Sequence, residues 1–259
     1  MNKVQPRRRA QQRSGAADAA PGVLMATEKS AKAVRGRNQT MVRKQPASNA
    51  ARPSPALRVL HVGCGRDTPS ALHPAFKSGG WDEIRLDIDQ SIRPDIVASA
   101  ADLSGQVEDE SCDAIWSSHT LEHLHRHEVP LALSEFRRVL APTGFVLIRS
   151  PDVEVVAQFI VDGRIDEVIY TSAAGPITPL DMLFGHARSI ARGNEFMRHG
   201  TAFTQDLLAR DLLEAGFAEV RTTRPGNYEV WAAAFMPDAD VSAIVDTLAK
   251  AGLDLRDEP

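Results

Sequence analysis

The strongest constraint on the fold is an apolar run that ends in a glycine-rich turn, Leu60-His61-Val62-Gly63-Cys64-Gly65. A second apolar run, Ile84-Arg85-Leu86, follows about twenty residues later and ends in Asp87. The two glycines allow a tight turn and a close approach of the backbone to a ligand. An acid after the next strand is placed to accept hydrogen bonds from ribose hydroxyls. This pairing predicts a site for a cofactor that contains a nucleoside.

The body of the chain alternates short apolar runs with amphipathic segments, which is typical of a parallel sheet covered by helices on both faces. The pattern predicts an α/β fold, Rossmann-like and doubly wound, with a mostly parallel sheet and an antiparallel last strand. Predicted strands are 57–62, 83–86, 96–98, 112–117, 145–148, 217–222 and 228–235. Predicted helices are 70–77, 130–140, 153–161, 204–215 and 241–251. Between 88 and 94 there is room for a single turn only.

Charge divides the chain into a basic arm and an acidic body. Residues 1–55 hold twelve Lys/Arg and two acids, whereas residues 56–259 hold 18 basic and 32 acidic residues. The arm has no aromatic residue, so it cannot bury enough surface to offset its ordering entropy, and we expect disorder. Binding of an anionic surface, organelle targeting, docking on the body and a dispensable tail all remain open. We therefore predict an arm at 1–55 and one domain at 56–259, in which 151–203 is an insertion that covers the substrate.

The apolar runs and the cysteines indicate the cellular compartment. No run approaches the roughly 18–20 residues of a membrane-spanning helix. Cys64 and Cys112 are too few for a disulfide framework and fit a reducing compartment, so we expect a cytoplasmic protein. Because no motif puts a base beside Cys64, we interpret it as a space-filling residue rather than a nucleophile.

Two more motifs follow the glycine turn in chain order. Residues 113–124 read DAIWSSHTLEHL and residues 136–144 read FRRVLAPTG. In this order and spacing the three motifs resemble those of class I S-adenosylmethionine-dependent methyltransferases, in the subgroup with a type 11 methyltransferase domain. The resemblance covers residues 57–150 and, more weakly, 201–235. It implies a methyltransferase with S-adenosyl-L-methionine as cofactor.

The residues after the turn indicate which of two cofactors binds, S-adenosylmethionine or a dinucleotide. A dinucleotide fold carries a third glycine where the turn meets the helix and faces the pyrophosphate. Here the region reads Arg66-Asp67-Thr68. An acid is repelled by pyrophosphate but is tolerated or attracted beside a sulfonium and an ammonium group. Asp67 therefore favours S-adenosylmethionine over a nicotinamide cofactor.

The resemblance also implies roles for single residues. Gly63 and Gly65 would pass close to the methionine part of the cofactor, and Asp87 would bind both ribose hydroxyls. Asp102 would lie near the adenine amine, or Ser99 if the alignment slips. The complete predicted cofactor set is His61, Gly63, Cys64, Gly65, Asp87, Ile88, Asp102, Leu103, Ser118 and His119.

Candidate catalytic residues fall in two segments. After the fourth strand, His119 is a candidate pocket residue or base, and the four histidines 119, 123, 125 and 127 fall within nine residues. No Cys pair or His-Glu-x-x-His motif accompanies them, so we predict no metal site. In the insertion, His186 and His199 are further catalytic candidates, and Arg188 and Arg192 are candidates for holding an anionic substrate group.

These observations favour methyl transfer to a small-molecule or glycan/lipid acceptor. A nucleic-acid methyltransferase that uses the arm is disfavoured, because the body is acidic and the fourth strand lacks an Asn/Asp-Pro-Pro-Tyr motif. A non-catalytic S-adenosylmethionine-binding protein remains an alternative. We expect no nucleic-acid partner and no membrane span, and the sequence leaves the acceptor and the oligomeric state open.

Overall fold

The alternating strands and helices form one seven-stranded sheet in the computed structural model, which describes residues 56–66, 68, 71–77, 80–226 and 228–256. Its strands are β1 (Leu57–Val62), β2 (Trp81–Asp87), β3 (Ile96–Val97), β4 (Cys112–Ser118), β5 (Leu140–Pro151), β8 (Glu219–Thr223) and β9 (Glu229–Phe235). A separate two-stranded hairpin comprises β6 (Tyr170–Ser172) and β7 (Gly175–Ile177). The predicted basic arm at 1–55 lies outside the described residues.

The strand order is β3-β2-β1-β4-β5-β9-β8. The pairs within the first five strands are parallel, whereas β9 pairs antiparallel with both β5 and β8. This arrangement confirms the predicted mostly parallel α/β sheet with antiparallel pairing near its end. The carboxyl ends of β1, β2, β4 and β5 therefore share one edge, where open α/β sheets bind their ligands.

Among the described residues, six helices accompany the sheet: α1 (Val129–Val139), α2 (Val153–Val161), α3 (Pro179–Phe184), α4 (Ala187–Ile190), α5 (Gln205–Glu214) and α6 (Val241–Lys250). The bounds of α2 are those predicted, because the side chain of Asp152 caps its first turn by accepting from the Glu154 N–H. Thr204 caps α5 in the same way by accepting from the Leu207 N–H. None of the helices among the described residues is both long and apolar enough to cross a membrane.

Two apolar layers cover the two faces of the sheet. Along β4 the side chains alternate, so that Ile115 joins the layer containing Phe136 and Leu208, while Trp116 joins the layer containing Val245. Helices α1 and α5 thus pack on one face and α6 packs on the other. The loops at the carboxyl edge of the sheet are therefore anchored in strands that are buried on both faces.

Two predicted elements differ most from those observed. In place of a helix at 70–77, the described residues contain only a 3-10 turn, Pro74–Phe76. Proline disfavours helical geometry in the residue before it, and His73 is extended there, with ψ 142°. Strand β5 begins at Leu140 rather than 145, because α1 ends at Val139 and Leu140 is already extended. The single turn predicted within 88–94 is confirmed as a 3-10 turn, Gln90–Ile92.

The two cysteines provide a test of the packing. Cys64 and Cys112 are only 4% and 1% exposed, and burial raises the pKa of the Cys64 thiol to about 11 and also raises that of Cys112. We therefore expect neither thiol to react with a thiol-specific disulfide reagent in the folded protein at neutral pH, and both to react in denaturant. Absorbance of the released chromophore measures this. Rapid reaction of a native cysteine would contradict the packing described here.

Candidate functional site

A cleft of about 580 Å³ lies at the carboxyl ends of β1, β2 and β4. Its volume is within the range of roughly 300–1,000 Å³ that is typical of small-molecule sites. One wall comes from the glycine turn and from residues 86–89 and 98–100. The opposite wall comes from residues 123–125 and from the insertion at 194–200. The cleft therefore joins the predicted cofactor region to the predicted insertion.

The glycine turn needs its two glycines for different reasons. Both have a positive φ, 65° at Gly63 and 59° at Gly65. A Cβ at Gly63 would lie 2.1 Å from Oγ1 of Thr120, which itself donates to the Val62 carbonyl at 3.0 Å. A Cβ at Gly65 would meet nothing within 4 Å. Gly63 thus packs the turn against the loop after β4, while Gly65 leaves space for a ligand.

The carboxylate of Asp87 braces the turn. Its Oδ2 accepts from the Gly65 N–H at 2.9 Å, and its Oδ1 accepts from the Asp89 N–H at 2.9 Å. Arg85 donates to the Gly65 carbonyl at 2.7 Å and holds the other side of the turn. Each carboxylate oxygen keeps a further lone pair, so Asp87 can accept from two adjacent hydroxyls of a ligand in the cleft.

The far end of this wall has an apolar and a small polar side chain. Ile88 lines the cleft with 52% of its surface exposed, which suits contact with a flat ring. Asp102 and Ser99 are the two predicted alternatives for the residue near the adenine amine. Of these, Ser99 lines the cleft. Asp102 is exposed outside it, where its Oδ1 accepts from the N–H and the hydroxyl of Ser104.

Besides Asp102, four more residues of the predicted cofactor set lie outside the cleft. His61 is 2% exposed and pairs with Glu83 at 2.6 Å, because alternation along β1 turns it away from the side of Val62. Leu103 is fully buried in the core. Cys64 is buried, and the Ser118 hydroxyl accepts from Arg149 at 2.7 Å. We remove these four, together with Asp102, from the candidate site.

His119 follows β4 and has a left-handed backbone, with φ 52°. Its Nδ1 lies 3.1 Å from Oε1 of Glu122, and its Nε2 lies 2.9 Å from Oε1 of Glu229. Burial alone would lower the pKa of His119, but the hydrogen bonds and charges of the two glutamates outweigh it and raise that pKa to about 9. Because both ring nitrogens are engaged, His119 has none free to take a proton from a ligand. Backbone strain of this kind is concentrated at functional sites.

Glu229 and Arg149 belong to the same network, and sequence reasoning missed both. The antiparallel register of β5 and β9 puts Pro151 opposite Glu229, which brings the carboxylate to His119. Arg149 lies 3.7 Å from Glu229, and its guanidinium stacks over the rings of Trp116 and Trp231 at 5.6 and 5.3 Å. No local motif marks either residue, since only the pairing of distant strands brings them together.

Glu122 is the most buried charged group at the cleft, with 1% exposure. Its Oε2 accepts from the Ser150 hydroxyl at 3.0 Å, and its Oε1 pairs with His119. Burial alone would raise the pKa of Glu122, but the hydrogen bond from His119 and the charges of His119, His123 and His199 lower it to about 2. Glu122 therefore remains a carboxylate inside the protein.

His199 comes from the insertion and lies beside His123 at the cleft wall. Their ring centroids are 5.0 Å apart. The backbone N–H groups of Gly200 and Thr201 donate to the Glu122 carbonyl at 2.8 and 3.1 Å, which fixes the end of the insertion against the loop after β4. Glu122, His123 and His199 each offer one atom that could bind a metal ion. These three atoms lie within 4.8 Å of one another.

Other residues predicted from the insertion do not reach the cleft. His186 is buried at the start of α4, where its Nδ1 lies 2.7 Å from the Ser189 hydroxyl. Arg188 and Arg192 are exposed and are not part of the cleft lining. Asp67 lies outside the described residues. It is the residue that, in the sequence, favours S-adenosylmethionine over a nicotinamide cofactor.

Comparison with known proteins identifies the central segment. Residues 60–148 match a family model described as a methyltransferase domain. None of the curated proteins compared with the chain matches it significantly.

Solved structures show partial similarity. The PH0226 protein from Pyrococcus horikoshii has 17% identity and a TM-score of 0.48, covering 70% of this chain and 82% of its own. A SAM-dependent methyltransferase from Archaeoglobus fulgidus has 16% identity and a TM-score of 0.45, with coverages of 70% and 86%. One from Aquifex aeolicus has 15% identity and a TM-score of 0.44, with coverages of 70% and 82%. Matches this distant carry no information about the acceptor.

The matched segment contains the glycine turn and the two motifs that follow it. Residues 60–148 belong to the methyltransferase domain family, and the chain is a methyltransferase whose cofactor is S-adenosylmethionine.

Proposed function

We propose that the chain transfers the methyl group of S-adenosylmethionine to a small-molecule or glycan/lipid acceptor that binds in the cleft beside the insertion. The observation that carries this proposal is the continuity of the cleft. The same cavity is lined by Gly65 and Asp87 at one wall and by His119 and His199 at the other. Cofactor and acceptor would therefore share one cleft, as direct transfer between them requires.

The residues of the first wall fit the cofactor. In this proposal Asp87 accepts from the ribose hydroxyls, and the open space at Gly65 admits the methionine part. Ile88 packs on the adenine ring and Ser99 lies at its polar edge. When bound, the cofactor supplies a methyl group on a positively charged sulfur, which makes the methyl carbon an electrophile.

The second wall fits an acceptor with both apolar and polar parts. Phe196 lines the cleft and is 51% exposed, so it offers apolar surface to a ligand. His123 and His199 offer polar groups at the same wall. His119, held by Glu122 and Glu229, positions this wall rather than accepting a proton. Its contribution is orientation of the acceptor, which suits a reaction whose electrophile is already activated.

Asp87→Ala tests the cofactor assignment. Loss of the carboxylate removes the acceptor for the ribose hydroxyls and a brace of the turn, so we expect affinity for S-adenosylmethionine to fall by more than about tenfold, or about 1.4 kcal/mol. Isothermal titration calorimetry measures this affinity. The matched control is Asp102→Ala, an exposed acid outside the cleft, for which we expect no change. Equal affinities for the two variants would refute the role of Asp87.

His119→Ala tests the second wall. We expect cofactor affinity close to that of the unaltered protein and a fall of about tenfold or more in methyl transfer, because the acceptor would lose its orientation. The measurement is transfer of labelled methyl groups into fractions of a metabolite extract from the host. His127→Ala, an exposed histidine outside the cleft, is the control. Full activity of His119→Ala would mean that the residue is only structural, and S-adenosylmethionine binding without any transfer would favour the non-catalytic alternative.

Residues 1–55 are proposed to be unnecessary for this chemistry. β1 begins at Leu57, and those residues of the cleft lining that the structure describes all come after it. We expect a chain that lacks residues 1–55 to bind S-adenosylmethionine with unchanged affinity. A large loss of affinity would assign the arm a role in the site, and loss of transfer to a nucleic-acid acceptor alone would favour the nucleic-acid alternative.

A further inference from the structure

We propose that Glu122, His123 and His199 bind a divalent transition-metal ion at the second wall of the cleft. Candidate ligand atoms of these residues lie within 4.8 Å of one another. Tetrahedral coordination with bonds of about 2.0–2.1 Å puts ligand atoms about 3.4 Å apart. The three side chains therefore need only a small inward movement to coordinate one ion.

The hydrogen bonds of the two histidines fix which nitrogen is available. Nδ1 of His123 lies 2.9 Å from the Arg198 carbonyl, and Nδ1 of His199 lies 2.9 Å from the Met182 carbonyl. A carbonyl only accepts, so each Nδ1 carries the proton and each Nε2 keeps its lone pair. Histidines that bind metals commonly donate from the other ring nitrogen to a carbonyl or carboxylate in this way.

The carboxylate is also held in place. The Glu122 side chain is fixed by Ser150 and His119, and its buried position makes it the inner ligand of the three. His123 and His199 line the cleft, whereas Glu122 is buried and does not belong to the lining. A coordination position on the cleft side therefore remains open to a ligand from the cavity.

The donor set selects the class of ion. Mg²⁺ and Ca²⁺ prefer oxygen ligands, whereas imidazole suits zinc, iron, cobalt and nickel. Two histidines and one carboxylate with an open position are a common arrangement in catalytic zinc sites. This inference replaces the expectation of no metal, which rested on the lack of a local motif. The third ligand is far along the chain, and only the fold brings it to the other two.

The open coordination position indicates that the acceptor binds the ion through a hydroxyl group. This step rests on the proposed function. An ion held by Glu122, His123 and His199 would lower the pKa of an acceptor hydroxyl, which would release its proton to water. The acceptor oxygen would then form a bond to the methyl carbon as the carbon–sulfur bond breaks, and the electron pair of that bond would stay on sulfur. Because both nitrogens of His119 are engaged, the ion supplies the activation that a free base would give.

Metal binding is tested on the full chain after treatment with a chelator. We expect one equivalent of Zn²⁺ to bind in calorimetry, and Co²⁺ to give visible absorption bands of a site with nitrogen ligands. In His123→Asn and His199→Asn, the amide N–H₂ can still donate to the carbonyl but no Nε2 remains. We expect each variant to bind Zn²⁺ at least about tenfold more weakly. His127→Ala, from the exposed stacked pair His125 and His127, is the control and should bind normally.

The outcomes separate the metal site from the proposed function. Absence of stoichiometric Zn²⁺ binding, or equal binding by both Asn variants and the unaltered protein, would overturn the site. Retained S-adenosylmethionine affinity in the variants shows that they are folded, and Zn²⁺ is titrated without the cofactor, so methyl transfer does not enter this result. If Zn²⁺ binds as expected but chelation leaves transfer to a hydroxyl acceptor unchanged, the activation step is wrong while the site stands.

Discussion

The cleft depends on one buried carboxylate, Glu122, which ties three separate segments together. Its side chain accepts from Ser150 at the end of β5 and pairs with His119 after β4. Its backbone carbonyl accepts from the end of the insertion at Gly200 and Thr201. A buried charge without partners would cost several kcal/mol, so the contacts of the carboxylate with Ser150 and His119 are what keep it inside. The position of the second wall follows from satisfying this group.

The first wall is held by hydrogen bonds within the protein. Asp87 holds the turn through the Gly65 N–H, and Arg85 holds the Gly65 carbonyl. A turn that is fixed by its own contacts loses little conformational entropy when a cofactor binds. The two walls therefore differ in origin. The first is local to β1 and β2, whereas the second is assembled from β4, β5, β9 and the insertion.

This difference explains which residues could be predicted. Gly63, Gly65, Asp87 and Ile88 lie in or beside motifs with short spacing, so local pattern places them at strand ends, and all four line the cleft. Local pattern could not decide between Asp102 and Ser99, because a shift of a few residues in an irregular loop changes which side chain faces the ligand. It also assigned His61 to the site, although strand alternation turns that side chain to the other face.

The sequence by itself determined the fold class and the glycine turn, because hydrophobic periodicity and short motifs encode contacts between near neighbours. Its resemblance to a known methyltransferase family implied the cofactor. Only the tertiary structure decided the second wall of the cleft. Glu229 meets His119 through the register of two antiparallel strands, and His199 meets His123 through an insertion with no periodicity. Such contacts join residues that are distant in the chain, and they form because buried charges and unpaired backbone groups must find partners. No local pattern carries that information.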